Sequence, residues 1–218
     1  MGWNNENAHR SWRIVDIETM ADPRAKDWLE PVKARANLKD PAKIAADIVE
    51  KEADRADKLG LDIDCLRIVC VGWMDVGHPE PKAMICQTEG DERDVISAFM
   101  STLGDKRMVT FYGHRFDLPA LWRRAFYLGV QAPRLNIDRY KTPHLDLWWE
   151  MTYRGALQSA HSLKFYQKRL GLPSLDKVDG ADVAKLAAAG EWDAIRDHCL
   201  SDVGLTHALA NRLGLLEV

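Results

Sequence analysis

Two carboxylates stand two residues apart in the apolar run Arg13-Ile14-Val15-Asp16-Ile17-Glu18-Thr19. In an extended strand, residues i and i+2 project from the same face. Asp16 and Glu18 therefore lie side by side with Ile14, while Val15 and Ile17 face the other way. Adjacent like charges on a strand are destabilising, and a hard divalent cation such as Mg2+, which takes carboxylate oxygens, neutralises them. The same spacing also occurs where a strand end simply reaches solvent, so the pair calls for further acids downstream. Asp117 stands where a strand gives way to a helix, a place where α/β sites are commonly built; read alone, it serves equally well as a helix N-cap. Near the C-terminus, His198 and Asp202 are spaced i and i+4 and share one helix face. That pair can bind a metal and position a water, or it can be an ordinary surface contact. The apolar neighbours Ile195, Cys199, Val203 and Leu209 argue that part of this helix is buried.

These residues need elements to hold them. A first strand is expected over 12–18, and residues 20–62 read as an insertion between strands. Within it, Asp40-Pro41 has the form of a helix start, with Asp as N-cap and Pro in the first turn. The helix ends near Gly60 and carries only a thin apolar stripe, Ile44, Ile48 and Val49, so it is mostly solvated; it serves as a lid, as a flap beside a substrate, or as surface decoration. Leu66 to Met74 is a near-continuous apolar run and reads as a central strand. Lys82 to Thr88 forms the next strand, joined through Gly77, His78 and Pro79. An amphipathic helix from Asp91 to Leu103, a strand from Arg107 to Tyr112 and a helix from Leu118 to Tyr127 follow. From Leu145 onward the pattern is helical, broken at Gly155, Gly171-Leu172-Pro173 and Gly190, with the last helix running from Trp192 to Leu213. A three-strand meander followed by alternating strands and helices predicts a mixed α/β sheet with helices on its faces.

The 218 residues suffice for one domain with an insertion and a real core. With 46% apolar and 29% charged residues, the composition is that of an ordinary globular chain. A net charge of −3 provides no global basic field for nucleic acid, so any such contact needs a local basic patch. Cys65, Cys70, Cys86 and Cys199 form no C-x-x-C pair and no zinc spacing. They read as buried free thiols, which suits a reducing compartment. No apolar run approaches the roughly 18 residues of a membrane span, and residues 1–10 are polar, without the blocks of a signal peptide. A cytoplasmic location is expected.

Asp16, Glu18, Asp117 and Asp202, taken in order, resemble the four acids of the DEDD superfamily of 3′–5′ exonucleases. The three motifs fall on Val15-Asp16-Ile17-Glu18-Thr19, on Phe111 to Leu121, and on His198 to Asp202. Within the superfamily the likeness is greatest to the predicted DNA polymerase B-like exonuclease group. It is strengthened by Phe116-Asp117-Leu118-Pro119-Ala120-Leu121, by His144-Leu145-Asp146-Leu147, and by Ser162-Leu163-Lys164 leading to Leu170-Gly171-Leu172-Pro173. It covers residues 12–213 apart from the insertion. There are two departures. The tyrosine branch has Y-x-x-x-D as its third motif and the histidine branch H-x-x-x-x-D, whereas this chain has His198-x-x-x-Asp202, a histidine at the tyrosine spacing. The second motif of the branch often carries Asn a few residues before its Asp, where this chain has Tyr112, Gly113 and His114.

The resemblance implies a ribonuclease H-like mixed central sheet flanked by helices, forming a single exonuclease domain over 1–218. It implies metal-dependent hydrolysis of single-stranded DNA from its 3′ end, with two Mg2+ or Mn2+ ions on Asp16, Glu18, Asp117 and Asp202. His198 would orient or deprotonate the attacking water. Thr19, Met20, Tyr112 and His114 would touch substrate, Met20 alternatively filling core. Read from the residues themselves, Arg115, Arg123, Arg124, Arg134, Arg139 and Lys164, among other basic residues nearby, either hold the phosphates of a strand, with Tyr112, Trp148, Trp149 and Phe165 as stacking faces, or for the most part form a solvated helical face. Asp146 is expected in a structural role, as a helix N-cap, rather than as support for the metals. RNA is the alternative substrate, and a catalytically dead binding module the alternative class. A proofreading role would require a partner polymerase; repair and end trimming are the other roles considered.

Overall fold

The computed structural model describes residues 11–78, 80–133, 135, 136, 138, 141–172 and 178–216. Residues 1–10, Pro79, Arg134, Arg139 and Pro173, all used in the sequence reading, lie outside these. Five strands form one sheet: β1 (Trp12–Ala21), β2 (Leu66–Asp75), β3 (Lys82–Ile85), β4 (Arg107–Thr110) and β5 (Leu145–Asp146), in the order β3-β2-β1-β4-β5. β1 runs antiparallel to β2 and parallel to β4; β3 is antiparallel to β2, and β5 parallel to β4. The mixed α/β sheet is therefore the architecture expected. β1 sits at its centre, paired with β2 on one side and with β4 on the other, and presents an apolar set to one face and a mixed set to the other.

Helices cover both faces. On one, α3 (Glu89–Leu103) and α4 (Asp117–Tyr127) pack Ile96, Phe99, Leu118 and Leu121 against Val15, Ile17, Ile68 and Val71. On the other lies the long helix α8 (Trp192–Arg212), with Val203 and Leu209 against Ile14 and Val109, and Ile195 and Cys199 against Val69 and Cys70. Three shorter helices, α5 (Leu147–Met151), α6 (Leu163–Leu170) and α7 (Val183–Ala189), complete that side. Burying a Leu or Ile side chain stabilises the fold by roughly 1.5–3 kcal/mol, so these two apolar layers fix the sheet against both helix sets.

The elements differ from expectation at their ends. β1 continues three residues past Glu18, to Ala21, and β4 stops at Thr110 because the chain turns sharply at Tyr112. β5 is a two-residue strand where helix was expected. Asp146 ends it by capping α5 with its side chain, which accepts from the Trp148 and Trp149 backbone N–H groups. Between β1 and β2 lie a single-turn helix, α1 (Ala25–Trp28), and α2 (Pro41–Leu59). α2 begins at the expected Asp40 cap, which accepts from the Ala42 and Lys43 N–H groups, and ends at Gly60. Its stripe is weaker than expected, since Val49 is 66% exposed. Its one buried residue is Asp47, fastened by Arg35 and by Lys51 at 3.0 Å. No helix among the described residues is long and apolar enough to cross a membrane.

Candidate active site

β1 aims Asp16 and Glu18 at α8. The Cys199 thiol lies 3.6 Å from Asp16 Oδ2 and 3.6 Å from the Asp16 carbonyl oxygen. His198 Nε2 lies 3.5 Å from Glu18 Oε1. α8 comes this close because Gly72, paired with Asp16 across the β1–β2 ladder, has no side chain. A Cβ there would stand 2.6 Å from Cys199 Sγ and 3.1 Å from Val203 Cγ2.

One irregularity sits beside Glu18. Glu18 pairs with Cys70, but Thr19 pairs with Ile68, so Val69 is an extra residue on β2. Such a bulge re-aims side chains: Val69 and Cys70 both point to the α7–α8 side, and Ile68 and Val71 both to the α3–α4 side. Glu92, fully buried, accepts from the Ile68 backbone N–H at 2.8 Å. Arg124 holds Glu92 in two parallel bonds of 2.7 Å each. Arg124, expected among the phosphate contacts, is thus 2% exposed and engaged in binding α4 to α3. An ionised side chain this deep requires such a partner. Arg123 is half-buried, 3.3 Å from Asp64, and Lys164 lies 3.6 Å from Asp179.

Asp117 arrives from the opposite edge of β1. After β4 the chain reverses through Tyr112, whose φ of 68° lies in the left-handed region, and through Gly113, where a Cβ would fall 2.4 Å from Thr110 Cβ. Asp146 clamps this turn, accepting from Tyr112 N at 2.9 Å and from His114 N at 3.0 Å. The structural role expected of Asp146 is therefore double: helix cap and turn clamp. Asp117 is then the buried first residue of α4, whose N-cap is Phe116. Burial pushes its carboxyl up to about 7, with Asp146 and Asp202 adding to the rise; the backbone N–H groups of Asp117 and Ile17 oppose it.

Asp202, half-buried one turn beyond His198 on α8, completes the group. Asp16 is held well above the carboxylate range, first by burial and then by Glu18, Asp202 and Asp117, with the Cys199 hydrogen bond opposing. The fold thus brings Asp16, Glu18, Asp117 and Asp202 into one electrostatic neighbourhood from β1, α4 and α8. Ligand atoms of Asp16, Glu18 and Cys199 lie within 4.8 Å of one another. Several acids raising one another's pKa in a buried corner suit a divalent cation, and the oxygen-rich donors suit a hard one.

The remaining sequence candidates have these positions. Thr19 donates its hydroxyl to the Gly60 carbonyl at 2.7 Å and so ties the end of α2 to β1. Met20 is partly buried against the cluster of Val69, Val183 and Ile195. The His114 ring is buried 3.9 Å from Asp146, and burial lowers its pKa. Tyr112 is 38% exposed beside Trp148. Sequence reasoning missed Gly72, the Val69 bulge, Glu92 and the contact of Cys199 with Asp16. A glycine inside an apolar strand was the one usable signal, since it marks a bulge or a close approach.

A family model described as "Predicted 3'-5' exonuclease related to the exonuclease domain of PolB" matches residues 65–217. The chain belongs to this family. The span matched in this predicted 3′–5′ exonuclease contains Asp117, His198 and Asp202 but begins after β1, so Asp16 and Glu18 join the group through the sheet pairing described above. No curated protein matches the chain. Among solved structures, the family B DNA polymerase from the hyperthermophilic archaeon Pyrobaculum calidifontis superposes with a TM-score of 0.61 at 16% identity, covering 94% of this chain and 24% of the polymerase chain. The chain thus spans about a quarter of that polymerase's length. The likeness is one of fold, and that fold is the ribonuclease H-like sheet with its flanking helices.

Proposed function

We propose that this family member removes nucleotides from the 3′ end of single-stranded DNA, with Asp16, Glu18, Asp117 and Asp202 holding two Mg2+ or Mn2+ ions. The observation that carries the reading is the convergence of these four acids, with Asp16 and Asp117 both pushed up by burial and by acidic neighbours. Such ions supply an activated water and neutralise charge developing on the phosphate. The protein's own groups do the rest. His198, beside Glu18 on α8, takes or orients the proton of the attacking water, a role that a neutral imidazole nitrogen fills. Cys199 holds the Asp16 carboxylate from behind. Met20 and Thr19 lie just past the first acid pair, where the terminal nucleotide would be seated, and the turn at Tyr112 and His114 sets the approach to Asp117. A proofreading role would draw on a partner polymerase; repair and end trimming are the alternatives.

The test is degradation of a 5′-labelled single-stranded DNA oligonucleotide with Mg2+, Mn2+ or EDTA. A metal-dependent ladder of shortened 5′-labelled products is expected, absent with EDTA and absent for Asp16→Ala. Wild-type activity in Asp16→Ala would overturn the site assignment. Faster degradation of the matching RNA would move the substrate to RNA while leaving the chemistry intact.

A further inference from the structure

Cys199 brings a soft donor into a corner of hard ones. Among the described residues, Asp16, Glu18 and Cys199 place three ligand atoms of two chemical characters within 4.8 Å of one another. The thiol stands on α8, one residue after His198, and reaches β1 because Gly72 leaves room for it. It is fully buried, 3.6 Å from Asp16 Oδ2 and 3.6 Å from the Asp16 carbonyl oxygen, and it also hydrogen-bonds with the Cys70 thiol. Asp16 is half-buried rather than sealed, which gives an ion a way in.

The separation between thiol and carboxylate fits two states. In the metal-free fold it serves a hydrogen bond from Cys199 to Asp16. It is also the separation that a tetrahedral zinc ion requires: with Zn–S of about 2.3 Å and Zn–O of about 2.1 Å, the tetrahedral angle sets sulfur and oxygen roughly 3.6 Å apart. Mg2+ behaves otherwise. It takes oxygen ligands in an octahedral array, so the thiol offers it nothing and stays protonated against Asp16. Thiolate favours zinc, and affinity at a given site rises from Mn2+ to Co2+. Two classes of ion therefore compete for the same two carboxylates, and they differ in whether they use Cys199.

From this geometry we propose that Asp16, Glu18 and Cys199 form a binding site for a borderline-soft divalent cation of the Zn2+ type, with Cys199 as a direct ligand, and that this ion inhibits the enzyme by taking the carboxylates that the hard ions need. On binding, the Cys199 S–H bond breaks, a metal–sulfur bond forms and the proton leaves to solvent, with no change of oxidation state. The inhibition rests on the nuclease reading; the binding of the ion does not.

The experiment is titration of the metal-free chain with Co2+, a spectroscopic substitute for Zn2+, followed by competition with Zn2+ and with Mn2+. Wild type should develop the near-ultraviolet charge-transfer absorption of a thiolate bound to Co2+, and Zn2+ should bleach it. The band should be absent in Cys199→Ser and in Asp16→Asn. It should persist in Cys86→Ala, whose thiol lies on the α3–α4 side of the sheet. Melts over a range of metal concentrations should show the Zn2+ affinity of Cys199→Ser lowered by more than about 10-fold, with Mn2+ affinity little changed; that ratio separates a ligand from a residue that only supports Asp16. The Zn2+ concentration that halves the Mg2+-driven ladder, with each chain normalised to its own zinc-free rate, should rise by the same factor. No band in the wild type, a band that survives Cys199→Ser, or equal losses of Zn2+ and Mn2+ affinity would each overturn the ligand role, and a ladder that Zn2+ leaves unslowed would overturn the inhibition. If the band forms but Mg2+ yields no ladder, the nuclease reading fails while the thiolate site stands.

Discussion

Asp16 occupies an unfavourable place for a charge: half-buried, with Glu18 two residues away and Asp117 and Asp202 close by. The Cys199 thiol relieves it in part. Without metal, the carboxylate is therefore a liability to the fold. Asp16→Asn should raise the metal-free Tm by about 2–4 °C for each kcal/mol of repulsion removed. The same change should lower metal-dependent activity by more than about 100-fold, beyond the roughly 10- to 100-fold typical of losing a residue that only supports a ligand. Thermal melts with and without Mn2+ check the first point: the ion should stabilise the wild type and leave Asp16→Asn almost unmoved. A variant that is both less active and less stable without metal would contradict this account of the site. His198 is argued separately. As the proton-handling group, its replacement in His198→Phe should lower kcat by about 10²- to 10⁴-fold with metal-induced stabilisation intact, because all four acids remain. If that stabilisation disappears along with the activity, His198 is shaping the Glu18 carboxylate instead.

The position of α8 depends on a single missing methyl group. In Gly72→Ala the new Cβ would meet Cys199 Sγ at 2.6 Å and Val203 at 3.1 Å, which forces the helix away from the strand bearing Asp16. Overpacking of this kind costs about 1–3 kcal/mol, read as a lowered urea midpoint, and a loss of activity should accompany it. Because the worse clash is with sulfur, Cys199→Ala in the same chain should recover more than half of that loss, a coupling that a double-mutant cycle measures. Additive losses would show that the clash is relieved elsewhere. What could be read of this layer from sequence follows from local rules. The two faces of β1, the cap of α2 at Asp40 and the buried side of α8 at Ile195, Cys199, Val203 and Leu209 depend on periods of 2 and 3.6 or on a cap side chain, and all are local. Glu92 and Arg124 were opaque because each looks like a surface charge on its own helix, and only the packing of α3 on α4 makes them a buried pair. The Val69 bulge was opaque for a related reason: a register shift exists only between two strands, and the sequence of one strand does not contain it. The turn at Tyr112 hid behind an aromatic residue where a left-handed position usually announces itself with Gly or Asn.

At the scale of the molecule, two sets of buried groups pull stability in opposite directions as pH falls. His144 is neutral in the fold, its Nδ1 accepting the Met108 backbone N–H at 3.1 Å and so tying β4 to the segment before β5. Burial, with help from His114, lowers its pKa from 6.5 to about 4. The unfolded chain therefore binds the proton first: the contribution is whole above pH 6.5 and is lost as pH falls through the window from 6.5 to about 4. At 1.36 kcal/mol per pKa unit, that drop amounts to roughly 3 kcal/mol. Asp117 acts in the reverse sense, since its folded pKa near 7 lies above the ordinary 3.8; the metal-free fold gains stability as this carboxyl is protonated between pH 7 and 4. The wild-type curve is the sum of both and separates neither. The difference between wild type and His144→Gln does separate them, because a glutamine carbonyl can still accept the Met108 N–H but has no proton to gain. Measured by urea unfolding in EDTA from pH 7 to pH 4, wild type should lose stability relative to His144→Gln by roughly 3 kcal/mol across the window, most steeply near about pH 5, midway between the unfolded and folded pKa values. A difference independent of pH would mean that His144 accepts its proton without leaving the fold, and the acid sensitivity would then have to originate in carboxylates held low by ion pairs, such as Asp75 with Arg13 and Asp22 with Arg24, whose contribution is lost only below about pH 4.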